Sequence, residues 1–154
     1  MSKCRVLIVD DIAENIAQMV NMLSNLDIEI KKAYGGKEAI QLVETFRPNI
    51  ILLDLMMPEV NGWDVIEHVR ARYDKNEMII IITSLLSNKD NIDECYEMGV
   101  NDYVSKPIIP GRIISSVETQ MRNVKYAEYE AEQHQLNTTK PASVVEMDSV
   151  KHIG

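Results

Sequence analysis

Hydrophobic positions along the chain follow two alternating spacings, and each switch between them marks an element boundary. Arg5–Val9, Ile28–Ala33, Ile50–Leu53, Met78–Ile82 and Tyr103–Val104 are short runs rich in β-branched residues and read as strands. The first, third and fourth are almost continuously apolar, as expected of strands covered on both faces. Between the strands, apolar residues recur at helical spacing. Ile12, Ile16, Met19, Val20 and Leu23 form one stripe, and Ala39, Ile40, Val43 and Phe46 a second. Trp63, Val65, Ile66 and Val69 form a third, and Ile92, Cys95, Tyr96 and Met98 a fourth. Gly35-Gly36, Arg47-Pro48, Pro58 with Asn61-Gly62, and Gly99 punctuate the ends. Ser87-Asn88-Lys89-Asp90 has the form of a capping box, which places a helix start just after Leu86. Strand and helix in repeated alternation predict an α/β fold, a single parallel sheet with helices on both faces.

A last helix is expected from near Pro110 through Ile113, Ile114, Val117 and Met121. Positions 114, 117, 121 and 124 keep a 3-4-3 apolar spacing, but Glu128, Ala131 and Gln135 come next in that register. A coiled coil needs the pattern sustained for about three or four heptads, so this register does not establish one. From Asn137 onward the periodicity is gone and Pro141 interrupts the chain, which suits a frayed or disordered tail. The expected organisation is one domain over residues 1–122, then a helical extension and tail over 123–154.

At 154 residues, 45% of them hydrophobic, the chain can bury a core without disulfide or metal staples, and it is too short for two full domains. Its 16 basic residues against 24 acidic ones give a net charge of −8, which argues against direct nucleic-acid or anionic-membrane binding. Residues 1–122 hold 13 basic and 19 acidic groups and residues 123–154 hold 3 and 5, so the tail is not a basic arm. Cys4 and Cys95 lack zinc-site or disulfide spacing, and a reducing compartment is expected. The longest purely apolar run, Met78–Ile82, is far shorter than a membrane span, and the start turns acidic too soon for a signal peptide. These features lead us to expect a soluble, cytoplasmic protein.

In open parallel sheets, ligands bind outside the carboxyl ends of the strands. Asp10 and Asp11 follow the first strand, Asp54 the third, Thr83 and Ser84 the fourth, and Lys106 with Pro107 the fifth. The second ends in Tyr34-Gly35-Gly36, which offers no comparable chemistry. Three carboxylates at one edge need a cation or a proton to offset them. A hard divalent ion with waters and a phosphate oxygen in its shell suits magnesium. A lysine and a hydroxyl opposite would serve the remaining oxygens of a phosphoryl group. Asp54, alone at the end of the central strand, is placed to accept that group as an acyl phosphate.

VLIVDD at 6–11, ILLDLMMPEVNGWDVI at 51–66, IIIITS at 79–84 and NDYVSKPI at 101–108 occur in one order. Over about residues 3–122 the chain thereby resembles the receiver domain of bacterial two-component response regulators. The resemblance implies a doubly wound, flavodoxin-like sheet of five strands in the order 2-1-3-4-5. It implies that Asp54 is the phosphoacceptor for a sensor histidine kinase or phosphotransfer protein. Mg2+ would be held by Asp11 directly, by Asp10 largely through water, and by Asp54 and the backbone carbonyl of Met56. Thr83 and Lys106 would engage the phosphoryl group, Tyr103 would be an aromatic switch, and the Lys106–Pro107 bond would be cis. Two positions depart from the commonest pattern: Ser84 stands where Ala or Gly is usual, and Met56 where several relatives are polar. Both are expected beside the approach to Asp54, where they bear on phosphoryl lifetime. The output would be a change in the face built from the fourth helix, fifth strand and fifth helix, with homodimerisation through that face as one form. Self-catalysed phosphorylation and hydrolysis would be module chemistry, not metabolic enzyme activity.

Other classes fit less well. A haloacid-dehalogenase-type phosphatase wants D-x-D-x-T after its first strand, whereas this chain has Asp10-Asp11-Ile12-Ala13. A flavin-binding module would want a hydroxyl-rich phosphate loop where this chain has two repelling acids. A constitutive interaction module would not need the full set of acids, Thr and Lys. His68, His134 and His152 lack the surroundings of a phosphorylated histidine, and no helix-turn-helix pattern follows residue 122.

Overall fold

The computed structural model describes residues 3–139. Five strands, β1 (Cys4–Val9), β2 (Ile28–Ala33), β3 (Ile50–Leu53), β4 (Ile79–Ser84) and β5 (Asp102–Ser105), form one parallel sheet in the order β2-β1-β3-β4-β5. They alternate with α1 (Ala13–Met22), α2 (Gly36–Phe46), α3 (Gly62–Arg70), α4 (Lys89–Glu97) and α5 (Pro110–Thr139).

The apolar strand runs resolve into two cores because successive side chains point to opposite faces. Leu7, Val9, Ile51, Leu53, Ile80 and Ile82 pack with Ala39 and Val43 of α2, Val65, Ile66 and Val69 of α3, and Cys95 of α4. Val6, Ile8, Ile50, Leu52, Ile79 and Ile81 pack with Ile16 and Met19 of α1 and Ile113, Val117 and Val124 of α5. Strand β2 is an edge, and its exposed Lys31 and Lys32 discourage further strand pairing.

Several expected details shift. Strand β4 continues through Thr83 and Ser84, so these are its last residues and not a loop beyond it. Helix α4 is capped by Asn88, whose side chain accepts from the Asn91 amide, one residue later than the Ser87 start suggested by the sequence pattern. Ile12 and Tyr96 do not join the core stripes. Ile12 is the residue before α1 and is 53% exposed, and Tyr96 is 43% exposed. Helix α5 keeps helical geometry through Thr139, past the expected change at Asn137; the rest of the anticipated tail, with His152, lies outside the described residues. Among the described residues no helix is long and apolar enough to cross a membrane.

Candidate functional site

Strand register builds the site. Val9 pairs with Leu53 and Leu53 with Ile82, so the next residues, Asp10, Asp54 and Thr83, lie side by side at the carboxyl edge of three adjacent strands. Backbone bonds hold the row: the Asp54 amide donates to Val9 O at 3.0 Å and the Asp10 amide to Ala33 O at 3.1 Å. Lys106 enters from the end of β5, its own amide donating to Ser84 O at 2.7 Å. The Lys106–Pro107 peptide is cis, as the resemblance implied.

Carboxylate oxygens of Asp10, Asp11 and Asp54 all lie within 4.8 Å of one another. Asp10 is fully buried, Asp54 is 5% exposed and Asp11 faces solvent. Lys106 Nζ bonds Asp10 Oδ2 at 2.7 Å and stands 3.6 Å from Asp54 Oδ1. Burial pushes the Asp54 carboxyl up to about 6; Lys106 opposes the shift and the Asp10 charge adds to it. The Met56 amide supports the ionised form of Asp54. One ammonium beside three acids leaves a net negative, oxygen-only pocket, the donor chemistry that suits a hard divalent cation.

The Thr83 hydroxyl is fully buried and has no hydrogen-bond partner. Such a group costs stability unless something else engages it. Ser84 is also buried, its Oγ accepting from the Leu86 amide at 3.1 Å, so it does not line the approach to Asp54. Met56 does: it is 58% exposed, and it borders a cavity of about 480 Å³ with Asp11, Asp54, Leu85 and Lys106. Tyr103 is buried, and its hydroxyl donates to Leu86 O in the β4–α4 connection.

One further residue at the site is not signalled by the motifs. The Asn15 amide reaches both Asp10 oxygens, at 3.4 and 3.2 Å, while the Ile12 amide donates to Asp10 Oδ1 at 2.9 Å. Asn15 follows Asp10 by five residues, across the start of α1, so no helical spacing in the sequence signals the pair.

An acid cluster, a lysine and a buried hydroxyl thus meet at the carboxyl edge of a doubly wound sheet, where such folds bind their ligands. The sequence model of the response regulator receiver domain matches residues 6–118, and the chain belongs to that family. It is similar to the chemotaxis protein CheY of Thermotoga maritima, 31% identical over 114 residues, covering 73% of this chain and 93% of CheY. It is also similar to the DNA-binding transcriptional activator EvgA of Escherichia coli K12, 36% identical over 121 residues, covering 78% of this chain and 58% of EvgA. The receiver domain of a Francisella response regulator superposes with a TM-score of 0.70 at 28% identity, over 77% of this chain and 97% of that one. The chain spans about half the length of several curated relatives it matches, and 28% of another.

Proposed function

We propose that the chain is a phosphorylation-dependent signalling switch with Asp54 as phosphoacceptor. The observation that carries the reading is the row of Asp10, Asp54 and the unpartnered Thr83 hydroxyl, with Lys106 reaching in from β5. The donor is a phosphohistidine on a sensor kinase or phosphotransfer protein. An Asp54 oxygen attacks phosphorus, the O–P bond forms, the P–N bond breaks, and the imidazole leaves with the electron pair. Asp11, Asp10, Asp54 and the Met56 carbonyl would hold Mg2+, which when bound would supply positive charge to offset the phosphoryl oxygens and the crowded acids.

The rest falls to the chain's own side chains. Lys106 gives up part of its contact with Asp10 to pair with the new charge, and the Thr83 hydroxyl gains an acceptor. Movement of Thr83 draws the β4–α4 connection with it. Tyr103, bonded to that connection, carries the change to the face formed by α4, β5 and α5, which is offered to a target or to a second copy. Residues 1–122 are the switch, working in the cytoplasm without direct contact to nucleic acid or membrane. Residues 123–154 extend it. The reaction is regulatory, with self-catalysed phosphorylation and hydrolysis as its only turnover.

Intact mass after incubation with Mg2+ and an acyl phosphate tests the reading. One added phosphoryl group is expected, lost on chelation and absent in Asp54→Ala. No gain, together with no binding of Mg2+ and beryllofluoride, would leave a constitutive binding module.

A further inference from the structure

Asp10 has no exposed surface, and its carboxylate rests on three donors of different character. The Ile12 amide donates to Oδ1 at 2.9 Å, and Lys106 Nζ donates to Oδ2 at 2.7 Å. The Asn15 side-chain amide bridges the two oxygens, 3.4 Å from Oδ1 and 3.2 Å from Oδ2. The Ile12 donor is fixed by the backbone and serves Oδ1 alone. Lys106 is a charged group at the end of a flexible stem, shared with Asp54 Oδ1 at 3.6 Å. Asn15 is neutral and half-buried in the first turn of α1, where its backbone amide donates to Ile12 O at 3.0 Å. Its side chain and that of Lys106 border the same cavity.

These donors matter most when one of them leaves. Removing an ammonium from a buried carboxylate strands a charge, which is far more costly than the pair is worth in place. In the phosphoryl transfer Lys106 turns from Asp10 toward the new charge on Asp54. Oδ2 then loses its short, charge-assisted bond, and Asn15 is the donor that stays on it. The lengths rank the two donors in the resting site: the ammonium at 2.7 Å is the stronger and the amide at 3.2 Å the weaker. A carboxylate has room for both at once, so the amide waits beside the lysine without displacing it.

We propose that Asn15 is a positioning residue for phosphoryl transfer: its amide holds the Asp10 carboxylate while Lys106 moves from Asp10 to the phosphoryl group. The inference rests on the phosphoacceptor reading and adds to it a residue outside the acids, the hydroxyl and the lysine. Without the amide, Asp10 retains Lys106 more tightly and the phosphorylated state becomes harder to reach. Cation binding is a separate matter. Asn15 is neutral, so its replacement by another neutral side chain leaves the charge of the three acids unchanged.

Titration calorimetry on the full chain separates the two steps, with Mg2+ alone and then with beryllofluoride at saturating Mg2+. Asn15→Leu, which keeps the volume and removes the donor, should bind Mg2+ within about twofold of the parent and beryllofluoride about tenfold more weakly. Asn15→Ala, which introduces no bulk, should repeat that split. In a Lys106→Met background, where no ammonium has to be released, Asn15→Leu should change beryllofluoride affinity by no more than about twofold. Equal weakening of Mg2+ and beryllofluoride would overturn the proposal, because Asn15 would then only stiffen the acid cluster. So would parental affinity for both, or a tenfold loss that persists without Lys106. Each of these outcomes leaves the phosphoacceptor reading standing. A parent that takes up no beryllofluoride would overturn that reading, and this inference with it.

Discussion

Asp54 is held in a protonation state that the fold itself disfavours near neutrality. Burial is the main cause, with the Asp10 and Asp11 charges adding and Lys106 opposing. Its pKa rises from 3.8 to about 6, so the protonated acid is favoured in the folded chain. The associated stability is complete below the unfolded value and is lost as pH rises through about 6. Ionised Asp54 therefore costs on the order of 3 kcal/mol at pH 8. Asp54→Asn should unfold at higher denaturant than the parent at pH 8, and the difference should vanish by about pH 4. Chemical denaturation of both proteins at the two pH values, without divalent ions, measures it; a gap independent of pH would mean that ionisation of Asp54 is not its cause. Asn15 makes a related prediction. Its amide and Lys106 share the buried Asp10 carboxylate. Asn15→Leu should lose about 1 kcal/mol in the same denaturation assay.

At the scale of elements, two buried contacts join α3 to the rest of the fold. At its start, a Cβ on Gly62 would come 2.6 Å from Leu55 Cα and meet the Asp54 carbonyl, so only glycine lets α3 approach the end of β3. At its end, the Arg70 side chain donates to the carbonyls of Gly99, Tyr73, Asp74 and Met78 and to Asn101 Oδ1. Arg70→Met keeps the apolar stem but strands these acceptors, and should cost roughly 2–4 kcal/mol in equilibrium unfolding. The strands are legible in the sequence because burial on both faces leaves an uninterrupted β-branched run, as in Ile50–Leu53. Their carboxyl ends therefore point to Asp10, Asp54 and Lys106 from the sequence alone. Helix surfaces are less legible. Periodicity identifies an apolar residue without saying whether anything covers it, which is why Ile12 and Tyr96 fit the core stripes by spacing and yet stand exposed. The Arg70 contacts join residues up to 31 positions apart, and no local pattern records them. The unpartnered state of Thr83 is likewise a property of its neighbours and not of its residue type.

For the molecule as a whole, the acid cluster is a stored repulsion beside a closed hydrogen-bond path. From Lys106 the path runs through its amide to Ser84 O, through Ser84 Oγ to the Leu86 amide, and through Leu86 O to the Tyr103 hydroxyl. Just beyond, Asp102 accepts from Arg112 and Ser116, fastening the start of β5 to α5. Burial raises the Asp102 carboxyl, but these donors outweigh it and hold the group below its ordinary value. Hydrogen bonds thus link the edge of the sheet to the β4–α4 connection, and β5 to α5. A cation that relieves the repulsion should stabilise the whole fold, because it binds a site that exists only when the strands are in register. Saturation to a hundred times Kd adds about 2.7 kcal/mol, and for a domain of this size that raises Tm by several degrees. Thermal melts at pH 8 in MgCl2, against KCl at matched ionic strength, should show this gain in the parent and lose most of it in Asp11→Asn. The exposed Asp11 bears no packing load, so the variant's own melting point should stay near the parent's. An Asp11→Asn protein that gains as much from magnesium as the parent would mean that the stabilising cation binds elsewhere.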